Sequence, residues 1–181
     1  MTHETHHSGT ERCAEVVEIL EEKGTSFDVV INIQGDEPFI YPEQISQLTD
    51  CFTDPEVQIA TLIRRITDRE DLKNPNLVKV VKDIKNWALY FSRSPIPFTR
   101  GSEEQSWLNA ITYFKHIGIY GYRAAVLKKL IFLAPTPLEQ AESLEQLRWL
   151  ENGFRIFTQE TEFESISIDS PSDLLKITNR S

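Results

Sequence analysis

Residues 29–42 read VVINIQGDEPFIYP, and the change of character within this stretch decides the architecture. Val29 to Ile33 is a near-continuous β-branched run, the look of a short strand covered on both faces and hence of a parallel one. It stops at Gln34-Gly35-Asp36-Glu37-Pro38, where two adjacent carboxylates follow a glycine and precede a proline. Pro42 stands where the first turn of a helix tolerates it, and Ile45, Leu48 and Phe52 then form an apolar stripe. Strand, acidic turn and helix make a βα unit. An acidic pair at the end of such a strand is either a solvated turn or a place where a cation is held.

Working outward, Ser8-Gly-Thr-Glu11 has the form of a capping box, and Cys13, Val16, Val17 and Leu20 recur at helical spacing until Lys23-Gly24. Downstream, Val57–Ile63 reads as a strand, and Val78–Lys82 with Trp87–Phe91 reads as a hairpin across a polar turn. Ser94-Pro-Ile-Pro-Phe-Thr-Arg-Gly opens a loop. Tyr113–Tyr122 returns as a strand whose glycines at 118 and 121 mark close packing or the approach of a ligand. Ala124–Leu133 reads as a short helix, and Thr136-Pro-Leu-Glu139 is a second capping box opening a helix that runs to Asn152-Gly153. Ser165–Ile168 alternates like a strand. Asp169 then precedes a third box, Ser170-Pro-Ser-Asp173, and the stripe Leu174, Leu175, Ile177.

No repeat, low-complexity tract or linker divides the chain. Residues 1–181 therefore read as a single α/β domain, a mixed, mostly parallel sheet flanked by helices. The excess of 28 acidic over 19 basic residues, net charge −9, disfavours nucleic acid or anionic lipid as a partner. Two cysteines without C-x-x-C spacing give neither a disulfide framework nor a zinc site. No apolar run approaches a membrane span and the first residues lack the form of a signal peptide, so a cytoplasmic protein is expected. His3, His6 and His7 have no H-E-x-x-H frame and read as a frayed terminus rather than a metal site.

In open α/β sheets ligands collect at the carboxyl ends of strands, where Asp36 and Asp169 both fall. Two converging carboxylates suit Mg²⁺, which takes oxygen ligands and keeps substrate phosphates in its shell. Each could equally cap the next helix. The pattern by itself reaches metal-dependent phosphate chemistry and no further.

Taken together, Ser8-Gly-Thr-Glu-Arg12, Asn32-Ile-Gln-Gly-Asp-Glu-Pro38, Tyr90-Phe-Ser-Arg-Ser-Pro-Ile-Pro97, Lys115-His-Ile-Gly-Ile-Tyr-Gly-Tyr-Arg123, Glu145-Gln-Leu-Arg148 and Ile168-Asp-Ser-Pro-Ser-Asp-Leu174 carry a resemblance. In this order the chain resembles the 3-deoxy-manno-octulosonate cytidylyltransferases, the CMP-Kdo synthetases of Gram-negative bacteria. The resemblance implies a nucleotide-diphospho-sugar transferase (Rossmann-like) fold, a homodimer, and transfer of CMP from CTP to the acidic sugar Kdo, with Mg²⁺, for lipopolysaccharide biosynthesis. By motif it implies Asp36 and Asp169 as magnesium ligands and, with Arg93, as the catalytic set. It assigns Ser8, Gly9, Thr10, Arg12 and Gln34 to CTP, and Arg93, Arg100, His116, Tyr120, Glu145 and Gln146 to Kdo. Arginines suit the sugar carboxylate, and neutral and anionic hydrogen-bonding groups suit its hydroxyls. Without the resemblance, His116 reads as a core histidine, Tyr120 as a strand aromatic and Glu145 as a solvated helix face.

The chain also departs from the family. A loop of the kind G-x-x-S-x-R-x-P-G-K-P-L, which holds the triphosphate in that family, does not occur in these 181 residues. The expectation is an N-terminally truncated form, the C-terminal portion of the family's domain, with little activity by itself. Two alternatives stand beside the cytidylyltransferase: a non-catalytic fragment that dimerises or binds sugar, and an enzyme like CMP-sialic acid synthetase.

Overall fold

The computed structural model describes residues 2, 3, 6, 8–34 and 40–163. Asp36, Asp169, the Ser165–Ile168 strand and the last helix therefore lie outside the described residues. The chain runs α1 (Gly9–Glu22), β1 (Val29–Asn32), α2 (Pro42–Asp50), a 3₁₀ turn at Cys51–Thr53, β2 (Ile59–Arg65), α3 (Arg69–Lys73), β3 (Lys79–Lys82) and β4 (Ala88–Ser92). A second 3₁₀ turn, Glu104–Ser106, leads into α4 (Trp107–Ala110), β5 (Phe114–Arg123), α5 (Ala124–Leu130), α6 (Pro137–Glu142), α7 (Glu145–Glu151) and β6 (Ile156–Glu160).

The sheet has six strands in the order β4-β3-β5-β2-β6, with β1 on β5. One edge of the ten-residue β5 is shared: β3 pairs with its start and β1 with its end, Val80 opposite Phe114 and Asn32 opposite Tyr120. The other edge pairs with β2. The expectation of a mostly parallel sheet is corrected here. Among the described residues β1–β5, β2–β5, β3–β4 and β3–β5 are antiparallel, and only β2–β6 is parallel. The Val29–Ile33 run is apolar because helices cover both faces, with Val30 packing beside α1's Cys13 and Ile31 beside α2's Leu48. Cover on both faces says nothing about direction, which is set by β5 arriving from the opposite end.

On one face, Ala14 and Val17 of α1, Leu127 of α5 and Leu147 and Trp149 of α7 pack on Ile59, Ile63, Tyr120 and Tyr122. On the other, Leu48 of α2 meets Leu62, Ile117 and Ile119, and Phe52 meets Ala60. Gly121 permits that second layer: a Cβ there would stand 2.5 Å from the Phe52 ring. The ring thus lies against bare backbone, as the sequence suggested for one of its two glycines.

The single helix expected over 136–152 is two. Half of its capping box forms, the Thr136 N–H donating to Glu139 Oε2 at 3.2 Å while the Thr136 hydroxyl has no partner among the described residues, and Pro137 sits in the first turn, but α6 ends at Ser143, whose φ of 53° and ψ of 51° are left-handed. A left-handed residue ends the i→i−4 ladder, and α7 sets off anew from Leu144. Arg148 of α7 holds Glu139 of α6 bidentately, Nη2–Oε1 2.5 Å and Nε–Oε2 2.7 Å, which fixes the angle across the break. The pairing lowers the Glu139 pKa and raises that of Arg148. Among the described residues no helix is long and apolar enough to cross a membrane.

Candidate active site

A cleft of about 520 Å³ opens where β5 passes from β3 to β1. There the His116 N–H donates to the Val78 carbonyl at 2.8 Å, before β1 takes over at Tyr120. The cleft is walled by the end of β1 (Asn32, Gln34), the approach to β3 (Asn76, Leu77, Val78), the middle of β5 (His116, Gly118, Tyr120, Tyr122) and the α6–α7 break (Ser143 to Gln146). Thr10 of α1, Arg93 after β4 and Trp149 of α7 complete it.

Seven of the residues assigned by resemblance meet here: Thr10, Gln34, Arg93, His116, Tyr120, Glu145 and Gln146. Four do not line this cleft. Arg100 is exposed, next to Gly101. Arg12 turns to the amino-terminal segment, donating from Nη1 to Thr2 Oγ1 at 3.2 Å and the His3 carbonyl at 3.4 Å. Ser8 caps α1, its hydroxyl accepting from Glu11 N–H at 3.3 Å, and borders a neighbouring depression that also reaches Glu145. Gly9 lets α1 approach β1, because a Cβ there would come 3.2 Å from Asn32 Nδ2. Among the described residues no group of three or more His, Cys, Asp or Glu is placed to hold a metal ion, and the two aspartates assigned to magnesium lie outside them.

Burial drives the His116 pKa down to about 3, so the ring is neutral; it sits between Phe91 and Tyr120 at 5.4 and 5.1 Å. Burial raises the Glu145 pKa, opposed by hydrogen bonds from Thr10 and Ser8; the Thr10 hydroxyl donates to its Oε2 at 2.8 Å. Glu145 is thus a tie between α1 and α7 as well as a wall of the cleft. Arg93 is held by backbone, with Nε on the Glu142 carbonyl at 2.7 Å and Nη1 on the Pro75 carbonyl at 3.1 Å. Glu142 in turn accepts from the Ser92 hydroxyl at 2.6 Å and the Arg93 N–H at 2.9 Å.

Three polar atoms of this wall are buried with no hydrogen-bond partner among the described residues: Tyr120 Oη, Gln146 Nε2 and Trp149 Nε1. Tyr122 Oη, near Thr10 and Asn32, likewise makes no well-formed bond. An unmet buried donor costs about 1–3 kcal/mol, and such groups rarely persist without a purpose. Clustered along one cleft, they offer hydrogen bonds to a ligand rich in oxygen.

Motif reading did not assign Asn32, Glu142, Tyr122 or Trp149. Asn32 stood within the quoted stretch and is 5% exposed, a polar residue buried at a strand end, which is a usable signal. Glu142 carried none, since its partners lie about fifty residues away in sequence.

The chain matches the cytidylyltransferase family over residues 1–163. It is 51% identical over 180 residues to a 3-deoxy-manno-octulosonate cytidylyltransferase of Parabacteroides distasonis, covering 97% of this chain and 70% of that protein. It is 53% identical over 178 residues to the protein of the same name from Bacteroides thetaiotaomicron, covering 96% and 70%. A solved structure of CMP:2-keto-3-deoxy-manno-octonic acid synthetase complexed with CTP superposes with a TM-score of 0.87 at 39% identity, over 99% of this chain and 70% of that one. That neighbour supports the nucleotide-diphospho-sugar transferase fold expected from the motifs. Both the family match and relatives of this identity cover most of its length: the chain belongs to the cytidylyltransferase family, on its 3-deoxy-manno-octulosonate branch.

Proposed function

We propose that the chain takes part in transfer of CMP from CTP to Kdo, giving CMP-Kdo and pyrophosphate for lipopolysaccharide synthesis. The observation that carries this is the set of unmet donors on Tyr120, Gln146 and Trp149, gathered with Arg93 in one cleft. An acidic, polyhydroxylated sugar supplies the acceptors that those donors lack, and an arginine answers its carboxylate. In the reaction a sugar hydroxyl oxygen bonds to the α-phosphorus, the bond to the bridging oxygen breaks, pyrophosphate departs with its electron pair, and the hydroxyl proton passes to solvent water. His116 is too weakly basic to take that proton at neutral pH and serves as a hydrogen-bonding group. Gln34 and Thr10, which line the same cleft, are the side chains offered to the cytidine.

Asp36 and Asp169 are the carboxylates we assign to Mg²⁺, a hard cation that takes oxygen donors. Held there, such an ion would supply positive charge against the phosphates. We also take the protein to be a cytoplasmic homodimer: exposed Leu89, Phe98 and Phe132 offer apolar surface for a partner, and free Cys13 and Cys51 suit a reducing compartment.

Calorimetric titration with Kdo, N-acetylneuraminic acid and CTP tests the assignment of the cleft. Saturable binding of Kdo in preference to N-acetylneuraminic acid is expected. Equal binding of both sugars would favour the sialic acid reading, and binding of neither would remove the sugar assignment.

A further inference from the structure

Strand β5 carries two more residues than its neighbour at the centre of the sheet. Thr61 of β2 stands opposite Tyr120 and Leu62 opposite Ile117, so Gly118 and Ile119 are extra. An even insertion keeps the alternation of faces, which is why His116 and Tyr120 still share one. The irregularity also brings two carbonyl oxygens to one hydroxyl: Thr61 Oγ1 lies 2.8 Å from Ile119 O and 3.3 Å from Ile117 O. Its third neighbour is His116 Nε2 at 2.9 Å. Thr61 is fully buried.

A hydroxyl has one hydrogen, and a carbonyl oxygen only accepts. The Thr61 proton is therefore directed to the carbonyls, Ile119 first, and the bond to His116 runs the other way, with Nε2–H donating to a lone pair on Oγ1. That fixes the neutral ring as the Nε2–H tautomer and leaves Nδ1 as an acceptor. Nδ1 has no hydrogen-bond partner among the described residues, and its ring lines the cleft. Tyr120 Oη, Gln146 Nε2 and Trp149 Nε1 of the same wall offer donors and Glu145 is an ionisable acceptor, so Nδ1 supplies a neutral acceptor among them.

We propose that Thr61 is a positioning residue for sugar selection, holding His116 in the Nε2–H tautomer so that Nδ1 accepts from a hydroxyl of the bound acidic sugar. The ligand half of this rests on the assignment of the cleft to Kdo; the tautomer half does not. The ring is gripped edge-on by Phe91 and tilted against Tyr120, so Thr61 orients one tautomer rather than steering a mobile side chain.

The test is a long-range ¹H–¹⁵N spectrum of the uniformly ¹⁵N-labelled chain at pH 7, with His116 assigned by His116→Gln, combined with Kdo and CTP titrations. The expected spectrum has a pyrrole-type Nε2 and a pyridine-type Nδ1 whose shift moves when Kdo is added. Thr61→Val should populate both tautomers and weaken Kdo binding about tenfold, the scale of one oriented hydrogen bond, with CTP affinity unchanged. Thr61→Ser should retain tautomer and affinity. Should Thr61→Val fail to fold, the unaltered chain and Thr61→Ser still decide. An Nδ1–H tautomer or an imidazolium in the unaltered chain overturns the proposal, as does a Thr61→Ser chain that loses either property. Absence of Kdo binding by the unaltered chain overturns the sugar assignment instead, and the spectra then separately decide whether Thr61 holds the ring.

Discussion

Tyr120→Phe should raise stability and lower sugar affinity at once. The ring is 5% exposed and packs edge-to-face on Trp149 at 5.0 Å, contacts that phenylalanine keeps. Only the hydroxyl is lost, and in the free protein it is buried without a partner. An unmet buried hydroxyl costs about 1–3 kcal/mol, so removing it should stabilise the free chain by about 1 kcal/mol after allowance for the small void. For a domain of this size that is a rise of roughly 2–4 °C in the unfolding midpoint. Binding moves the other way. One hydrogen bond to a neutral sugar oxygen contributes about 0.5–1.5 kcal/mol, and one to the carboxylate about 1.5–3, so the dissociation constant for Kdo should rise about 2- to 150-fold. Unfolding by urea without ligand, and calorimetry with Kdo, read the two effects separately. A variant less stable than the parent with sugar affinity unchanged would refute the reasoning, because the hydroxyl would then be a structural group already satisfied within the fold.

Other perturbations follow from the same geometry. Gly121→Ala should destabilise by about 1–3 kcal/mol, because its Cβ would stand 2.5 Å from the Phe52 ring; an unchanged urea midpoint would mean that the ring moves off the sheet freely. His116 has its folded pKa depressed to about 3 from an ordinary 6.5, so its neutral form contributes stability that is fully present above pH 6.5 and is lost as pH falls toward 3. Across that window the loss approaches about 1.4 kcal/mol per pH unit, and His116→Gln should flatten the acid limb of the midpoint against pH; parallel limbs would show a ring charged at no cost. Glu142→Ala strips acceptors from the Ser92 hydroxyl and the Arg93 N–H and should cost about 1–3 kcal/mol while weakening Kdo binding; a sugar affinity equal to the parent's would mean that Arg93 keeps its place through the Glu142 and Pro75 carbonyls.

Much of the frame was legible because its signals are local. Ser8 caps α1, Glu139 reaches back to the Thr136 N–H, and the Lys79–Lys82 and Ala88–Ser92 strands pair as the hairpin that two β-rich runs around a polar turn announce. What depends on distant partners was not legible. Strand β6 was overlooked although Ile156 and Thr158 are buried in alternation with less buried neighbours, because five residues of period two are weak until β2 pairs beside them. The break at Ser143 involves neither glycine nor proline, so nothing in the local sequence marks the left-handed residue that turns Glu145 and Gln146 into the cleft. At the site, motif resemblance brought together the residues whose spacing is fixed by one strand or one helix start. The same resemblance assigns Arg100, which is exposed and does not line the cleft, and it could not find Thr61, whose role depends on a register shift between strands more than fifty residues apart.

Single-turnover chemistry decides whether the cleft converts the sugar it binds. The chain is held in molar excess over Kdo with CTP and Mg²⁺, and products are followed by ³¹P NMR. Positioning and charge stabilisation supply most of the rate in phosphoryl transfer, so the side chains of the cleft are read directly in the product. CMP-Kdo should form with one pyrophosphate per sugar, N-acetylneuraminic acid should give none, and Asp36→Asn should abolish the product. Kdo bound in the cleft but never converted would contradict this and leave the chain a sugar-binding unit.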